Sequence, residues 1–298
     1  MRTVADLIDR TFRTYLEPPD LQPASTRLNG ALTDSDLTIA FAEFDVPEDV
    51  ALLRRGSVIE IASELMRMTV WDATTRTGEM EREFLGTTAV AHDDGATVKL
   101  APPFSRLSVF EATRDNIVSL YPRLWTTTTE RSLPVAPKVY PITNDLAVEV
   151  VEINTMNREP FELTGKITEK HHLTAGRAIV LNRTYGREIW ARMRLRFGVA
   201  EGETDELADL GLEEVWETMV MVGAAADLLA GRDLPKSHVE WIGSVLETEN
   251  IQPGTRSSIA LGLARYRRML MDEFANEMIA EDSNRIVVQD TNPYMGVS

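Results

Sequence analysis

The chain has 298 residues, of which 43% are hydrophobic and 26% charged, a composition that suits a folded protein with a sizeable core. Its 47 Asp and Glu residues against 31 Lys and Arg give a net charge of −16, which disfavours a protein that holds duplex DNA or anionic membranes. Because the chain has no cysteine, disulfides, thiolate zinc sites and cysteine nucleophiles are excluded.

We expect neither a signal peptide nor a membrane span. The N-terminal segment carries Asp6 and Asp9 and has no apolar region of the secretory kind. No apolar run in the sequence approaches the roughly 18 residues that a membrane helix requires.

The first hundred residues predict one helix followed by strands. Apolar residues recur at helical spacing over 3–16, and Pro18-Pro19 ends the run. A short apolar strand lies within 37–46. Further on, short β-type segments separated by Gly, Thr and Asp predict a small sheet or half-barrel; they are 58–62, 65–70, 79–85 and 96–100.

A second helix and a second β region follow. The pattern of 104–125 predicts a helix with Ser105 as N-cap and Pro122 as its breaker. Its predicted apolar side consists of Leu107, Phe110, Ile117, Leu120 and Tyr121. From about 126 to 199 the pattern is β again, with strands at 146–154, 161–168 and 189–197.

The last hundred residues predict helices. Three are expected, at 212–231, 237–250 and 256–281. The apolar face of the last one consists of Ile259, Leu263, Tyr266, Leu270, Phe274 and Met278. The tail 284–298 has no helical period, and it is apolar enough to need a partner on its own chain or on a neighbour.

The predicted fold class is α+β. The N-terminal, middle and C-terminal helices would form one helical bundle, from which two antiparallel β-modules emerge as insertions. A string of separate domains is the alternative. The predicted segments are the N-terminal helix (1–18), first β-module (19–103), bundle helix (104–125), second β-module (126–204), C-terminal helices (205–283) and extended tail (284–298).

The stretch GTTAVAHDDGATVKL (86–100) raises the question of an acid/base or metal site. Its His92, Asp93 and Asp94 are consecutive, whereas loops for hard cations use alternate positions and a distant carboxylate. Asp94-Gly95 between β-branched segments is a strong turn signal. We therefore predict a tight turn between two strands that projects a rigid loop, without chemistry of its own.

The other histidines give no site either. His171 and His172 are neighbours on a predicted strand and would point to opposite faces, and His238 begins a predicted helix as a surface or cap residue. No nucleophile, phosphate-loop, metalloprotease or dinucleotide motif is present. We expect no enzyme, no cofactor and no metal site.

Two groups of arginines leave alternatives open. Arg192, Arg194 and Arg196 alternate along a predicted strand, which suits a solvated face, pairing with acids across the sheet, or phosphate binding. On the last helix, pairs such as Arg268–Asp272 lie at i,i+4 and favour salt bridges within the helix or between subunits, with DNA contact as the alternative. The other arginines of this helix are Arg265 and Arg267.

Three stretches carry a resemblance to neck and connector proteins of tailed bacteriophages. In 63–125, a β-hairpin, "GTTAVAHDDGATV", a Pro-Phe-Ser break and a helix ending "LYPRLW" follow in that order. VMVGAAADLLAGRDLP (220–235) is similar to the small-residue helix of head-to-tail adaptors. The arginine-bearing helix with its tail (256–298) resembles the adaptor segment that reaches onto the portal.

The resemblance implies a structural virion protein of the head-to-tail connector, located in the virion neck and assembled in the host cytoplasm. Its expected partners are further copies in a ring, twelve by family analogy, the portal protein and the next neck or tail protein. DNA would only pass through, along acidic walls that repel phosphates. The expected partner interface is Arg265, Arg267, Arg268, Ile286, Val287, Val288, Tyr294 and Met295.

Two other functions remain open at this stage. The chain could be a minor tail or baseplate protein whose β-modules contact other tail proteins or the host surface. It could also be a hydrolase or carbohydrate-active enzyme built on the β-modules, although no motif supports that function.

Overall fold

The computed structural model describes residues 2–17, 23–44, 46–136, 138–156, 163–166, 171–173, 178–181, 188–230, 241–242 and 258–289. They divide into two compact units. The N-terminal unit comprises the described residues of Val4–Thr113 and Val220–Tyr266; the C-terminal unit comprises those of Met1–Thr3, Arg114–Met219 and Arg267–Ser298. The mixed α and β character with antiparallel sheets is confirmed. Strands are more prominent than predicted, and the helical bundle stays a prediction.

The N-terminal unit begins with the predicted helix. Helix α1 spans Val4–Thr11 and continues as a π-helical turn, Phe12–Leu16. Its apolar stripe is buried, as the periodicity predicts: Val4, Leu7 and Ile8 have no exposed surface.

Six strands build one antiparallel sheet in this unit. They are β1 (Ser25–Arg27), β2 (Thr38–Ala40), β3 (Val58–Ile61), β4 (Glu64–Asp72), β5 (Thr77–Glu81) and β6 (Thr97–Leu100), in the spatial order β1-β6-β3-β4-β5-β2. The two edges are joined, because the Asn29 and Ala42 N–H groups donate to the carbonyls of Ala40 and Arg27. The sheet therefore closes on itself around an apolar core that includes Phe41, Ile59, Met66, Met68 and Val98.

Strands β4 and β5 approach so closely at Gly78 that a side chain has no room. A Cβ atom there would lie 2.2 Å from Met68 Cε and 2.7 Å from the Val70 carbonyl oxygen. The register of the two strands shifts between Met68 and Val70, directly beside this contact. Glycine is thus required at position 78, because the backbones of β4 and β5 lie too close for a side chain.

Helix α2 spans Arg106–Val118, and Ser105 caps it as predicted, since its Oγ accepts the Ser108 N–H at 3.1 Å. The predicted apolar side is wrong in part, because Leu107 and Phe110 are half-buried and Tyr121 is exposed. Ile117 and Leu120 of the predicted side are buried. The buried side also includes Val109 and the polar residues Thr113 and Asn116, and a count of apolar residues leaves the last two out.

The C-terminal unit contains seven described strands. They are β7 (Thr126–Ser132), β8 (Val139–Pro141), β9 (Ala147–Met156), β10 (Leu163–Lys166), β11 (His171–Leu173), β12 (Ala178–Leu181) and β13 (Ile189–Leu195). One antiparallel sheet has the order β10-β9-β13-β7, and the other has the order β11-β12-β8. The alternation predicted for β13 is confirmed, because Ile189, Ala191, Met193 and Leu195 all lie in the core.

Two long helices complete the described chain. Helix α3 spans Glu214–Leu229, within two residues of its prediction at each end, and α4 spans Ser258–Gln289. Helix α4 thus continues into the stretch predicted as an extended tail. Extending a formed helix costs less than starting one, so β-branched residues after 284 do not end it. The predicted helix 237–250 lies outside the described residues, apart from helical Trp241 and Ile242.

Candidate partner interface

Arg267, one of the three arginines predicted to contact a partner, is bonded within the C-terminal unit. Its Nε donates to the Met219 carbonyl at 3.1 Å, and its Nη2 donates to the Asn116 carbonyl at 3.2 Å and to Ser119 Oγ at 2.6 Å. The Asn116 carbonyl belongs to the last turn of α2, where helix carbonyls have no partner within the helix. Arg267 therefore joins α4 to α2 and α3 inside one chain.

An ion pair attaches α4 to the connection between α2 and β7. Arg123 Nη1 lies 2.6 Å from Asp272 Oδ1. The i,i+4 pair predicted between Arg268 and Asp272 is thus replaced, because Asp272 turns towards Arg123. Among the described residues, the side chain of neither Arg268 nor Arg265 makes an ion pair or hydrogen bond, and both residues are exposed.

Apolar side chains accompany the two exposed arginines on α4. Leu261, Met269 and Ile279 are each about half exposed, at 49%, 55% and 53%. The predicted core face lies on the other side of the helix, where Ile259 and Leu263 are buried and its remaining four residues are half-buried. Met271, which was not predicted to belong to that face, is buried as well. Helix α4 thus has a covered side and an uncovered side that is arginine-bearing and apolar.

The other predicted interface residues lie near the C-terminus. Ile286, Val287 and Val288 are helical residues of α4 and do not belong to an extended segment. Tyr294 and Met295 lie outside the described residues.

The C-terminal unit also contains a cavity of about 330 Å³ that the sequence did not indicate. Strands β7 and β13, the start of α3 and the middle of α4 surround it. Its lining is Trp125, Thr126, Thr127, Arg192, Glu213, Val215, Trp216, Phe274, Glu277 and Met278. These residues come from four separate segments of the sequence, and no short motif connects the segments.

The walls of this cavity are aromatic and charged. Trp216 packs edge-on against Phe197 with 5.4 Å between ring centroids, which fixes its orientation. The Arg194 guanidinium lies 4.3 Å from the centre of the Trp125 ring and pairs with Glu149 at 2.8 Å. Pairing across the sheet, one of the alternatives for the alternating arginines, is therefore confirmed for Arg194.

Two carboxylates of the cavity have no cationic partner among the described residues. Glu213, just before α3, and Glu277, on α4, are both exposed, and neither makes an ion pair there. The third charged residue of the lining is Arg192. Two carboxylates and one guanidinium leave the cavity with a net negative charge.

His92 has a different position from the one predicted. It is 7% exposed, and its Nε2 lies 2.9 Å from Glu64 Oε2. Arg82 forms a bidentate pair with the same carboxylate, and it also donates to the carbonyls of Thr33 and Val90. The burial of His92 and its contact with Glu64 were not predicted, and the interpretation that residues 92–94 form no site of their own stays a prediction.

The Asp94-Gly95 turn itself is confirmed, although it does not join paired strands. Gly95 has φ of +78°, and the Ala96 N–H donates to the Asp93 carbonyl at 3.1 Å. Strand β6 pairs with β1 and β3, whereas His92 bridges to Leu32. The loop is held against the strand β1 side of the sheet, so it does not project freely.

The buried cluster of Glu64, Arg82 and His92 has the chemistry of an internal support. Burial alone would raise the pKa of Glu64, but hydrogen bonds from Arg82, His92 and the Val90 N–H hold that pKa below its usual value. The carboxylate accepts all three donors and is fully buried. It therefore remains charged and faces no solvent-accessible substrate position.

Glu60, on strand β3, is a second buried carboxylate. It is 1% exposed and accepts the Arg106 N–H at the start of α2. Burial raises its pKa to about 7, against the lowering effects of the Arg106 N–H and of Lys99. The side chain thus changes protonation near neutral pH.

Other candidate sites gain no support from the described residues. His171 and His172 lie on β11, and His238 falls outside the described ranges. In the described ranges no three His, Asp or Glu residues are grouped as metal ligands. None of the helices there combines the length and apolar character that crossing a bilayer requires.

Comparison with solved structures finds, among others, chains from the necks of two particles. A chain in the neck of a native GTA particle, computed with C12 symmetry, is 12% identical over 49% of this chain and 85% of that chain, with a TM-score of 0.20. A chain in the neck of an empty GTA particle, computed with C6 symmetry, is 14% identical over 51% and 83%, also at 0.20. No protein-family model and no curated protein matches. At these scores, the similarity does not establish a common fold.

Proposed function

We propose that the chain is a structural subunit of a ring in the head-to-tail connector of a tailed phage. In this role it joins the portal to the tail and forms part of the DNA channel. The proposal includes assembly in the host cytoplasm, a place in the virion neck, and no catalytic activity. It begins from the resemblance of 63–125, 220–235 and 256–298 to neck and adaptor proteins.

The observation that carries the proposal is the uncovered side of α4. A lone chain leaves Leu261, Met269 and Ile279 about half exposed on one helix, next to Arg265 and Arg268. Apolar surface of this kind suits contact with another protein. Arg267 and Asp272 meanwhile attach the part of α4 that follows Tyr266 to the C-terminal unit, so Arg268, Met269 and Ile279 are presented on an anchored stretch of helix.

We assign the small-residue segment of α3 to packing within the chain, although it is similar to the small-residue helix of head-to-tail adaptors. Ala224 and Ala225 have no exposed surface, so they serve close packing within the chain. We therefore assign contacts between subunits to α4 and not to this part of α3.

The net charge of −16 fits a channel wall. A lumen that carries DNA must repel phosphates so that the duplex slides without adhering, and acidic side chains do so at the cost of self-repulsion between subunits. Ring closure uses heterologous contacts between identical subunits, so two different surfaces of each copy must meet.

Electron microscopy of the purified protein tests the proposal directly. We expect rings with a central hole, alone or on purified portal. Deleting residues 290–298 leaves α4 complete and tests the part of the predicted tail that follows it: reduced portal binding supports a role for these residues, and undiminished binding contradicts that role. A chain that forms no ring in either preparation would contradict the connector function.

The alternative function places the protein at the tip of the phage tail. A minor tail or baseplate protein would carry the same fold and acidity to another part of the particle. Labelled antibodies on intact particles separate the two functions: a signal at the junction of head and tail supports the connector, and a signal at the distal tip supports the alternative.

A further inference from the structure

We propose that the cavity of the C-terminal unit receives the guanidinium of Arg268 from α4 of a neighbouring copy. This inference rests on the proposed ring function and names one contact that would close the ring. The occupant is a second copy of this chain, bound through a cationic side chain in an aromatic and acidic recess.

The chemistry of the cavity selects a guanidinium. Glu213 and Glu277 supply two carboxylates without a cationic partner among the described residues, and Trp125 and Trp216 supply aromatic surface. A guanidinium can pair bidentately with a carboxylate and stack on an aromatic ring at the same time, which an ammonium does less well. At about 330 Å³, the cavity is at the small end of ligand pockets and has room for one side chain.

The chain itself supplies a matching donor. Arg268 is exposed on α4 and makes no ion pair among the described residues, and Arg265 lies one turn before it. In a protein of net charge −16, contact between copies requires that cations of one copy meet acids of the other. The half-exposed Met269 beside Arg268 would be covered by the same contact.

The two surfaces lie on opposite sides of α4. Arg268 and Glu277 are nine residues apart, which places them about 180° apart around a helix of 3.6 residues per turn. Arg268 therefore cannot reach the cavity of its own chain. A self-complementary two-fold contact would use a single patch, whereas surfaces on opposite sides propagate head to tail and form a ring when the rotation between copies closes.

A charge exchange on the full-length chain tests the contact. Self-association is measured by light scattering after size-exclusion chromatography at low and high salt. We expect Arg268→Glu and Glu277→Arg each to raise the dissociation constant about tenfold or more, and the double variant to restore it to within about threefold of the unchanged protein. Glu273→Arg, an equal charge change on an exposed α4 residue that does not line the cavity, is the matched control.

Cross-linking adds a positional readout. Arg268→Cys and Glu277→Cys variants can be mixed and treated with a short bis-maleimide. Because the chain has no native cysteine, the introduced thiols are the only ones that react. A dimeric product from the mixture, absent when Arg54→Cys replaces Arg268→Cys, supports the contact. Far-ultraviolet circular dichroism establishes that each variant is folded.

The outcomes separate this contact from the proposed function. Rings that persist in both charge-reversal variants, or a double variant no better than the single ones, would overturn the contact and leave the connector function standing. A chain that remains monomeric alone and on portal would overturn both.

Discussion

Two buried glutamates on neighbouring strands have opposite electrostatic surroundings. Glu64 accepts Arg82, His92 and the Val90 N–H, which together keep its pKa low. Among the described residues Glu60 accepts one hydrogen bond, from the Arg106 N–H, and burial raises its pKa to about 7. The number of donors around a buried carboxylate thus decides whether the folded protein holds it charged.

We predict that Glu60 makes stability depend on pH. Its folded pKa of about 7 lies above the ordinary value of 4.5, so the folded state binds the extra proton between these values. The free energy of unfolding should therefore fall as pH rises from about 4.5 to 7, by up to about 3 kcal/mol. Urea denaturation of Glu60→Gln should show a flatter profile and greater stability above pH 7.

Glu79→Gln, on an exposed position of β5, serves as the control for the charge change itself. A Glu60→Gln profile parallel to that of the unchanged protein would show that the carboxylate stays ionised throughout this range.

We predict a structural role for His92. Replacing it with alanine removes a buried donor to Glu64, so the free energy of unfolding should fall by about 1 to 3 kcal/mol. Asp93→Ala, at the adjacent exposed position, should change it by less than about 0.5 kcal/mol. Equal losses in the two variants would contradict the buried cluster as the source of the effect.

The sequence could predict the turn at Asp94-Gly95 but not the burial of His92. The turn follows from local backbone preferences, and its positive φ at Gly95 is a property of a few residues. The contact with Glu64 joins residues 28 positions apart and arises when β4 and the loop meet. A histidine beside an exposed turn gives no local signal of such a partner.

At the scale of elements, α4 combines a predictable pattern with unpredictable contacts. The apolar period placed Ile259 and Leu263 on its buried side correctly. The three arginines at 265, 267 and 268 look alike in sequence, yet one of them lies over the end of α2. A difference of one residue rotates a side chain by about 100°, which is enough to move it from solvent to a contact.

This difference predicts that removing Arg267 lowers the stability of the protein, whereas removing the adjacent Arg268 does not. Arg267→Ala removes hydrogen bonds to two carbonyls and to Ser119 Oγ, and it should lower the free energy of unfolding by about 2 kcal/mol. Arg268→Ala should leave the stability of the chain within about 0.5 kcal/mol of the unchanged value. Guanidinium denaturation of both variants provides the measurement, and equal losses would contradict the anchoring role of Arg267.

Strand and helix positions in the N-terminal half were largely predictable, and the closure of the sheet was not. The strands at β3, β4 and β6 show short apolar alternations, and Ser105 is a sequence-level start signal. The joining of β1 to β2 depends on backbone hydrogen bonds between segments with little apolar pattern. The cavity likewise draws its walls from four separate elements.

At the scale of the whole molecule, charge governs which partners can approach. A protein of net charge −16 repels a polyanion over distances comparable to the screening length, about 10 Å at 0.1 M salt. Two copies repel each other in the same way, so their contact must rely on local cations. Salt screens the long-range repulsion and thereby favours assembly, but it also screens the ion pairs at the contact and weakens them.

We predict that the protein does not bind duplex DNA. A gel-shift titration at 50 and 150 mM salt should show no complex at micromolar protein, because binding would require cations that neutralise several phosphates. A basic DNA-binding domain of similar size serves as the positive control. A complex whose affinity falls steeply with salt would contradict the prediction, because such a slope shows that cationic side chains contact phosphates.

The close approach of β4 and β5 at Gly78 sets a limit on how this protein can vary. Any larger residue would collide with Met68 and with a backbone oxygen of the neighbouring strand, and backbone cannot move aside as a flexible side chain can. In a library that encodes all amino acids at this codon, selection for folded protein should therefore return glycine almost exclusively, while the exposed position 79 next to it accepts many residues. Distant relatives of this chain should be recognisable by a glycine here even where the surrounding sequence has diverged.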